Sequence, residues 1–216
     1  MARIVCLANS FKRGGRCVAG IDLSTNQWIR PIGDGHEGAI GGERIINGAE
    51  PELLDILDIP TGPAAVDHGC QPENVVLESG RWRKLGEMSI QDVANFVEDT
   101  QRFLLHNRTD RVLPSEFEDN IPQHSWKSLQ LIRVHNVLIQ KNPWRKLECS
   151  FRYNGILYSL KVTCPNAEKY INERGDFLFT ISMGAPFARK PEDPLYCWKM
   201  IAGVIRLDDG DADIPF

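Results

Sequence analysis

Leu147-Glu148-Cys149-Ser150-Phe151-Arg152-Tyr153-Asn154-Gly155-Ile156-Leu157-Tyr158-Ser159-Leu160-Lys161-Val162-Thr163 is the stretch that decides the fold. On either side of Asn154-Gly155 the apolar residues fall on every second position. That spacing is the mark of a strand with one buried face. Asn-Gly between two such runs specifies a two-residue type I′ turn, because both central residues need positive φ. The segment predicts an antiparallel hairpin, Leu147–Tyr153 against Ile156–Thr163, with a polar face left over.

More strands follow outward from this hairpin. Leu129–Gln140, Phe177–Met183 and Lys199–Leu207 complete a second set. An earlier set comprises Ile4–Ala8, Arg16–Asp22, Gln27–Ile32, Leu53–Ile59 and Asn74–Glu78. The spacing of Leu53–Ile59 fits either period. Its β-branched residues and the Pro60-Thr61-Gly62-Pro63 that follows favour a strand. Ser89 to Asn107 predicts one helix: Ser89 and Asp92 form a capping-box start, Ile90, Val93, Val97 and Leu104 share a face, and Asn107 is the stop. Pro165–Arg174 predicts a short helix ending at Gly175. Between the two sets lies Leu113–Gln123, rich in proline and acidic residues.

Short strands followed by a helix thus recur in each half. The order fits two small barrels or half-barrels of the oligonucleotide/oligosaccharide-binding (OB) type. The expected fold class is mainly β with minor α. The expected lobes are 1–123, with the helix 89–107, and 124–216, with an acidic tail. Neither strand set is large enough to bury its own faces, so the lobes are expected to pack as one unit.

The composition agrees with a folded chain. At 216 residues, 42% hydrophobic and 25% charged, it suits one domain or two small ones. No apolar run approaches the ~18 residues of a membrane span. The apolar run at the N-terminus is too short for a signal peptide, so a cytoplasmic protein with no membrane partner is expected. The six cysteines are scattered, several inside apolar strand patterns, and form neither a disulfide framework nor a Cys-x-x-Cys pair. The net charge of -4 is unevenly spread. Residues 51–120 carry a balance of -8, residues 121–207 one of +7, and the last nine residues add four aspartates. A basic C-terminal half beside an acidic middle suits either a polyanion on one face or mutual neutralisation between lobes.

Two stretches carry the candidate binding chemistry. In Lys12-Arg13-Gly14-Gly15-Arg16 three cations surround a glycine pair between strands, a setting for backbone N–H groups and a guanidinium on one phosphate. It is no P-loop, since Arg16-Cys17 follow Gly15 and a strand follows the turn. Trp28 and Arg30 sit at alternate positions of one strand and share a face, which suits a base stacked on Trp28 with its phosphate near Arg30. The alternative is a solvated turn with Trp28 in the core and Arg30 at the rim. Gly33–Gly42 is a flexible loop able to fold over a ligand. Lys127, Trp144, Arg145 and Lys146, with Trp126, pair rings with cations and form a secondary basic track.

Catalytic signals are sparser. The five histidines show no metal-ligand spacing, and Asp67-His68-Gly69-Cys70 reads as a turn more than a metal site. No cofactor is indicated. Cys17 beside Arg16 is a candidate activated thiol, set against burial in an apolar strand. No Gly-x-Ser-x-Gly elbow is present. Lys12, Arg16 and His36 would serve a metal-independent nuclease or nucleotide hydrolase. A protein–protein interaction module is the third class.

Ile4-Val5-Cys6-Leu7-Ala8-Asn9-Ser10, Gly14-Gly15-Arg16-Cys17-Val18-Ala19-Gly20 and Trp28-Ile29-Arg30-Pro31 resemble the start of the dual OB-containing domain, an uncharacterised prokaryotic family. Leu54-Asp55-Ile56-Leu57-Asp58-Ile59-Pro60, Gln71-Pro72-Glu73-Asn74, Ser182-Met183-Gly184-Ala185-Pro186-Phe187 and Trp198-Lys199-Met200-Ile201-Ala202-Gly203 resemble its later parts. The resemblance implies two OB-like folds in one compact unit. It also implies binding of nucleic acids or nucleotides in a defence-related setting; with the Trp28 and Arg30 reading, the expected partner is single-stranded nucleic acid or a nucleotide. It brings no catalytic residues with it.

Overall fold

A computed structural model describes residues 1–207. The first unit comprises β1 (Ala2–Lys12), β2 (Gly15–Asp22), β3 (Gln27–Ile32), β4 (Asp55–Ile59), β5 (Thr61–Ala64), β6 (Asn74–Leu77) and β7 (Arg83–Glu87). Then come α1 (Ile90–Ala94), β8 (Arg111–Val112) and α2 (Pro114–Asn120). The second unit comprises β9 (Leu129–Lys141), β10 (Leu147–Tyr153), β11 (Ile156–Val162), β12 (Arg174–Met183) and β13 (Cys197–Leu207). No helix among the described residues is long and apolar enough to cross a membrane.

The second unit is a closed five-stranded barrel. β9 pairs with β10 and β12, β10 with β11, and β12 with β13. β11 and β13 run parallel through Lys161↔Met200 and Val162↔Ile201 and close the ring. Five strands joined in this order make the OB topology. The hairpin turn is as the sequence predicts: Asn154 has φ 46°, Gly155 φ 81°, and Tyr153 pairs with Ile156. The inward face of the hairpin supplies Cys149, Phe151, Tyr153, Tyr158 and Leu160 to the core. There Phe151 stacks on Tyr158 at 6.0 Å and meets Phe179 edge-on at 5.6 Å.

The first unit is a curled half-barrel with strand order β5-β6-β3-β2-β1-β4-β7. β4 lies near one edge and β5 is the other, yet only Pro60 separates them in sequence. Proline has no N–H for the ladder, so the strand breaks there and bends across the sheet.

β1 joins the units. It is buried from Ile4 to Ser10. Thr180 Oγ1 donates to Leu7 O at 2.5 Å, and Phe11 N donates to Thr163 O at 3.0 Å. Gly203 permits this approach, because a Cβ there would stand 2.0 Å from Leu7 O. Val5, Leu7 and Ile21 from the first unit share an apolar cluster with Leu131, Leu178 and Ile205 from the second. Polar bonds flank it. Glu73 accepts from Ser128 N at 2.7 Å and Ser128 Oγ at 2.8 Å, and Gln71 Nε2 donates to Met183 O at 2.8 Å. The two units therefore form one packed body.

Several elements differ from expectation. The helix predicted over Ser89–Asn107 is five residues long, Ile90–Ala94. Ser89 caps it as predicted, accepting from Asp92 N at 3.1 Å. It then ends because Glu98 N bonds to Leu131 O of β9 at 2.8 Å, and Asn154 Nδ2 donates to Asp99 O and Gln101 O. Leu104 enters the barrel core instead of sharing the helix face. Within Leu113–Gln123 lies α2, whose Phe117 is fully buried against that same core. Pro165–Arg174 forms only a 3-10 turn, Pro165–Tyr170, and Gly175 lies within β12. The Gly33–Gly42 loop is pinned by reciprocal backbone bonds between Arg16 and Ile40, with Ile40 fully buried. β5, β7 and β8 have no counterpart in the sequence expectation.

Candidate nucleic-acid interface

The outward face of the β10–β11 hairpin forms one wall of a groove of about 560 Å³. Ser150 Oγ donates to Ser159 Oγ at 3.0 Å, and Ser159 Oγ donates to Glu148 Oε1 at 2.6 Å. Lys161 is exposed at the end of β11. The β9–β10 loop forms one lip. Asn142 Oδ1 accepts from Trp144 N at 3.1 Å and Lys146 N at 3.0 Å. This turn turns Trp144 outward, where it is 77% exposed. Arg145 occupies the same loop at φ 60°. The β12–β13 loop forms the other lip with Phe187 and Arg189. In OB folds the face of the second and third strands, with these two loops, is the ligand surface.

The electrostatics favour an anion. Burial and the neighbouring Lys146 and Arg189 charges lower the Lys161 pKa. Among the described residues, none of Lys146, Lys161 and Arg189 has an ion-pair partner. Glu148 and Asp110 are the carboxylates that line the same groove. Arg189 stacks on the Trp198 ring at 3.4 Å from its centroid. Stacking occupies the guanidinium face and leaves its in-plane N–H donors for a phosphate. Lys199 closes the floor, its Nζ donating to Leu104 O at 2.6 Å and to Asn107 O and Oδ1 at 2.8 Å each. Burial pushes its pKa down to about 7, opposed by Asp110 and Glu116. With three oxygens on its ammonium, Lys199 is an anchor for the 104–107 segment rather than a ligand contact.

The dual OB-containing domain model matches residues 2–204. The chain belongs to that family. Comparison of this dual OB chain with curated proteins and with solved structures gives no match.

Within the dual OB frame, the sequence-nominated residues fall in three places. Arg13-Gly14 form the tight β1–β2 turn, with Gly14 at φ 83°. Gly15 serves close approach, since a Cβ there would stand 2.2 Å from Ile40 O. Lys12 Nζ donates to Glu37 O. Arg16 lies over the Phe11 ring at 4.2 Å and 4.0 Å from Glu50, whose pKa is held low by hydrogen bonds from Arg44, with Arg16 adding to the effect. Of these cations Arg13 is exposed.

Trp28 and Arg30 share a face, and that face is the seam between units. Arg30 is 2% exposed and donates to Ser182 Oγ at 3.1 Å and Asn74 Oδ1 at 3.4 Å. Trp28 is half-buried and donates to Glu98 Oε1 at 3.3 Å. It lines a cleft of about 900 Å³ together with Trp126 and Lys127. Lys127 is ion-paired with the other oxygen of Glu98. Lys127 is thus separated from Trp144, Arg145 and Lys146, while Trp28 and Lys127 meet on one carboxylate.

Sequence reasoning missed Lys161, Phe187 and Arg189. Lys161 carried a signal, as a cation on the polar face of the strongest hairpin. Phe187 and Arg189 lie in a loop with no periodicity. Asp67-His68-Gly69-Cys70 is a turn, with Gly69 N and Cys70 N bonded to Asp67. Among the described residues no group of three or more His, Cys, Asp or Glu is placed to hold a metal ion.

Proposed function

We propose that this dual OB chain binds single-stranded nucleic acid along the β10–β11 face of its closed barrel. The carrying observation is the convergence of Lys146, Lys161 and Arg189, free of ion pairs among the described residues, with an exposed Trp144. Cations in a groove track the phosphate backbone. An exposed ring stacks bases of any sequence at about 1–3 kcal/mol per base. Lys12 ends the first unit's first strand and Arg13 lies in the turn to its second. Arg16 lies beside them with a buried Nη1 lacking a hydrogen-bond partner, and the turn is a second, weaker contact in this reading.

Fluorescence anisotropy with labelled single-stranded DNA and RNA oligonucleotides tests this directly. Saturable binding is expected, weakening with salt, and Trp144→Ala is expected to weaken it with no change in melting temperature. Equal affinity of wild type and Trp144→Ala for every oligonucleotide would refute the assignment of this face.

A further inference from the structure

Cys70 lies in the loop between β5 and β6 of the first unit, and Cys197 is the first residue of β13 in the second. Both are fully buried, and their sulfurs stand 2.9 Å apart. Nothing fits between sulfurs at that separation, and it is within about 1 Å of the ~2.05 Å of a disulfide. We propose that Cys70 and Cys197 are a modification site: under a thiol–disulfide oxidant they form a disulfide that covalently links the two units.

The chemistry needs a low-molecular-weight disulfide such as oxidised glutathione. One protein thiolate attacks a glutathione sulfur, expelling one glutathione thiolate and leaving a mixed disulfide. The second protein thiolate then attacks the protein sulfur and expels the other. Two protein thiols lose two electrons and two protons, and one glutathione disulfide becomes two thiols. Geometry singles out this pair, whose sulfurs are in direct contact at 2.9 Å. The shared S–H···S contact lowers the Cys197 thiol, while on Cys70 the same contact, with burial, acts in the raising direction. Burial likewise pushes Cys149 up to about 12 and raises Cys6 and Cys164, and among the described residues none of these three makes a sulfur–sulfur hydrogen bond such as that of Cys70 and Cys197.

The consequence is mechanical. The bond would close a separation of 127 residues and fix the start of β13, where the loop carrying Phe187 and Arg189 ends. Closing so long an interval raises the melting temperature by on the order of 10 °C for a chain of this size. This proposal is independent of the nucleic-acid reading and fails or stands without it.

The test is to refold the reduced full-length chain in a glutathione redox buffer, and in parallel in excess reductant. Each sample is denatured, alkylated and digested. Support requires two fewer alkylated thiols than the six of the reduced sample and a peptide pair joined through Cys70 and Cys197. Cys70→Ser and Cys197→Ser variants should each retain all their remaining thiols and show no oxidant-dependent rise in melting temperature. Six alkylated cysteines in the oxidised wild type, or a bond joining any other pair, would overturn the proposal. The wild-type peptide map decides it even where a serine variant fails to fold.

Discussion

Replacing Lys146 and Lys161 together by alanine tests the groove through its charge. Both side chains are exposed and, among the described residues, neither makes an ion pair. Burial and the charges of Lys146 and Arg189 already depress Lys161, so removing the two lysines relieves repulsion rather than breaking a stabilising contact. The melting temperature should hold or rise slightly. Binding should suffer. Two charge-assisted contacts at about 1 kcal/mol each amount to roughly 30-fold in Kd. Each phosphate contact to a single strand contributes about 0.7 to the slope of log K against log salt, so the double variant should flatten that slope by about 1.4. Anisotropy titrations of one oligonucleotide at several salt concentrations measure both quantities. A variant that keeps wild-type affinity and slope would show that phosphates do not run through this groove.

Three further outcomes follow from burial and geometry. Gly155→Val places a β-branched residue at φ 81° and should cost about 1–3 kcal/mol, read as a lower denaturation midpoint; an unchanged midpoint would refute the turn assignment. Arg30→Ala should destabilise the chain by on the order of 2 kcal/mol, because Asn74 Oδ1 and Ser128 O lose a buried donor, whereas Arg13→Ala at the exposed turn should leave stability unchanged. Lys199→Met strips the donor from three oxygens and should cost on the order of 3 kcal/mol. Its pH signature has a definite sign. With a folded pKa of about 7 against an ordinary 10.5, the unfolded chain holds the proton more tightly between those values, so the wild type gains stability as pH rises through that window; denaturant titrations across it should show a smaller gain for the Met variant.

What the sequence discloses is local, and what it conceals depends on the partner surface. Asn154-Gly155 needs nothing beyond its neighbours to turn, and it turns as read. The long strands are legible for the same reason. β5 and β7 are short and carry proline, glycine or exposed charge, and β8 is two residues long, so no period marks them. The apolar spacing from Ile90 to Leu104 imitates one helix although the residues serve two cores, with Val93 at the seam and Leu104 in the barrel. Trp28 and Arg30 show the limit most clearly. Alternation states correctly that they share a face, but it cannot say that Ser128 and Ser182 of the second unit will cover it.

The same reasoning explains why the richer motif ranks second in the proposed function. Lys12-Arg13-Gly14-Gly15-Arg16 concentrates three cations in five residues, yet two are engaged once the chain folds. Lys12 is bonded to Glu37 O, and Arg16 lies against Phe11 and Glu50. The corresponding loop of the second unit carries Trp144, Arg145 and Lys146, and among the described residues neither of its cations makes an ion pair although Glu148 lines the same groove. Closure of the barrel then brings Lys161 from β11, and the β12–β13 loop brings Arg189, to the same groove. The two units differ in where their cations are neutralised: in the first the charge holds the Gly33–Glu50 connection in place, and in the second Lys146, Lys161 and Arg189 make no ion pair among the described residues.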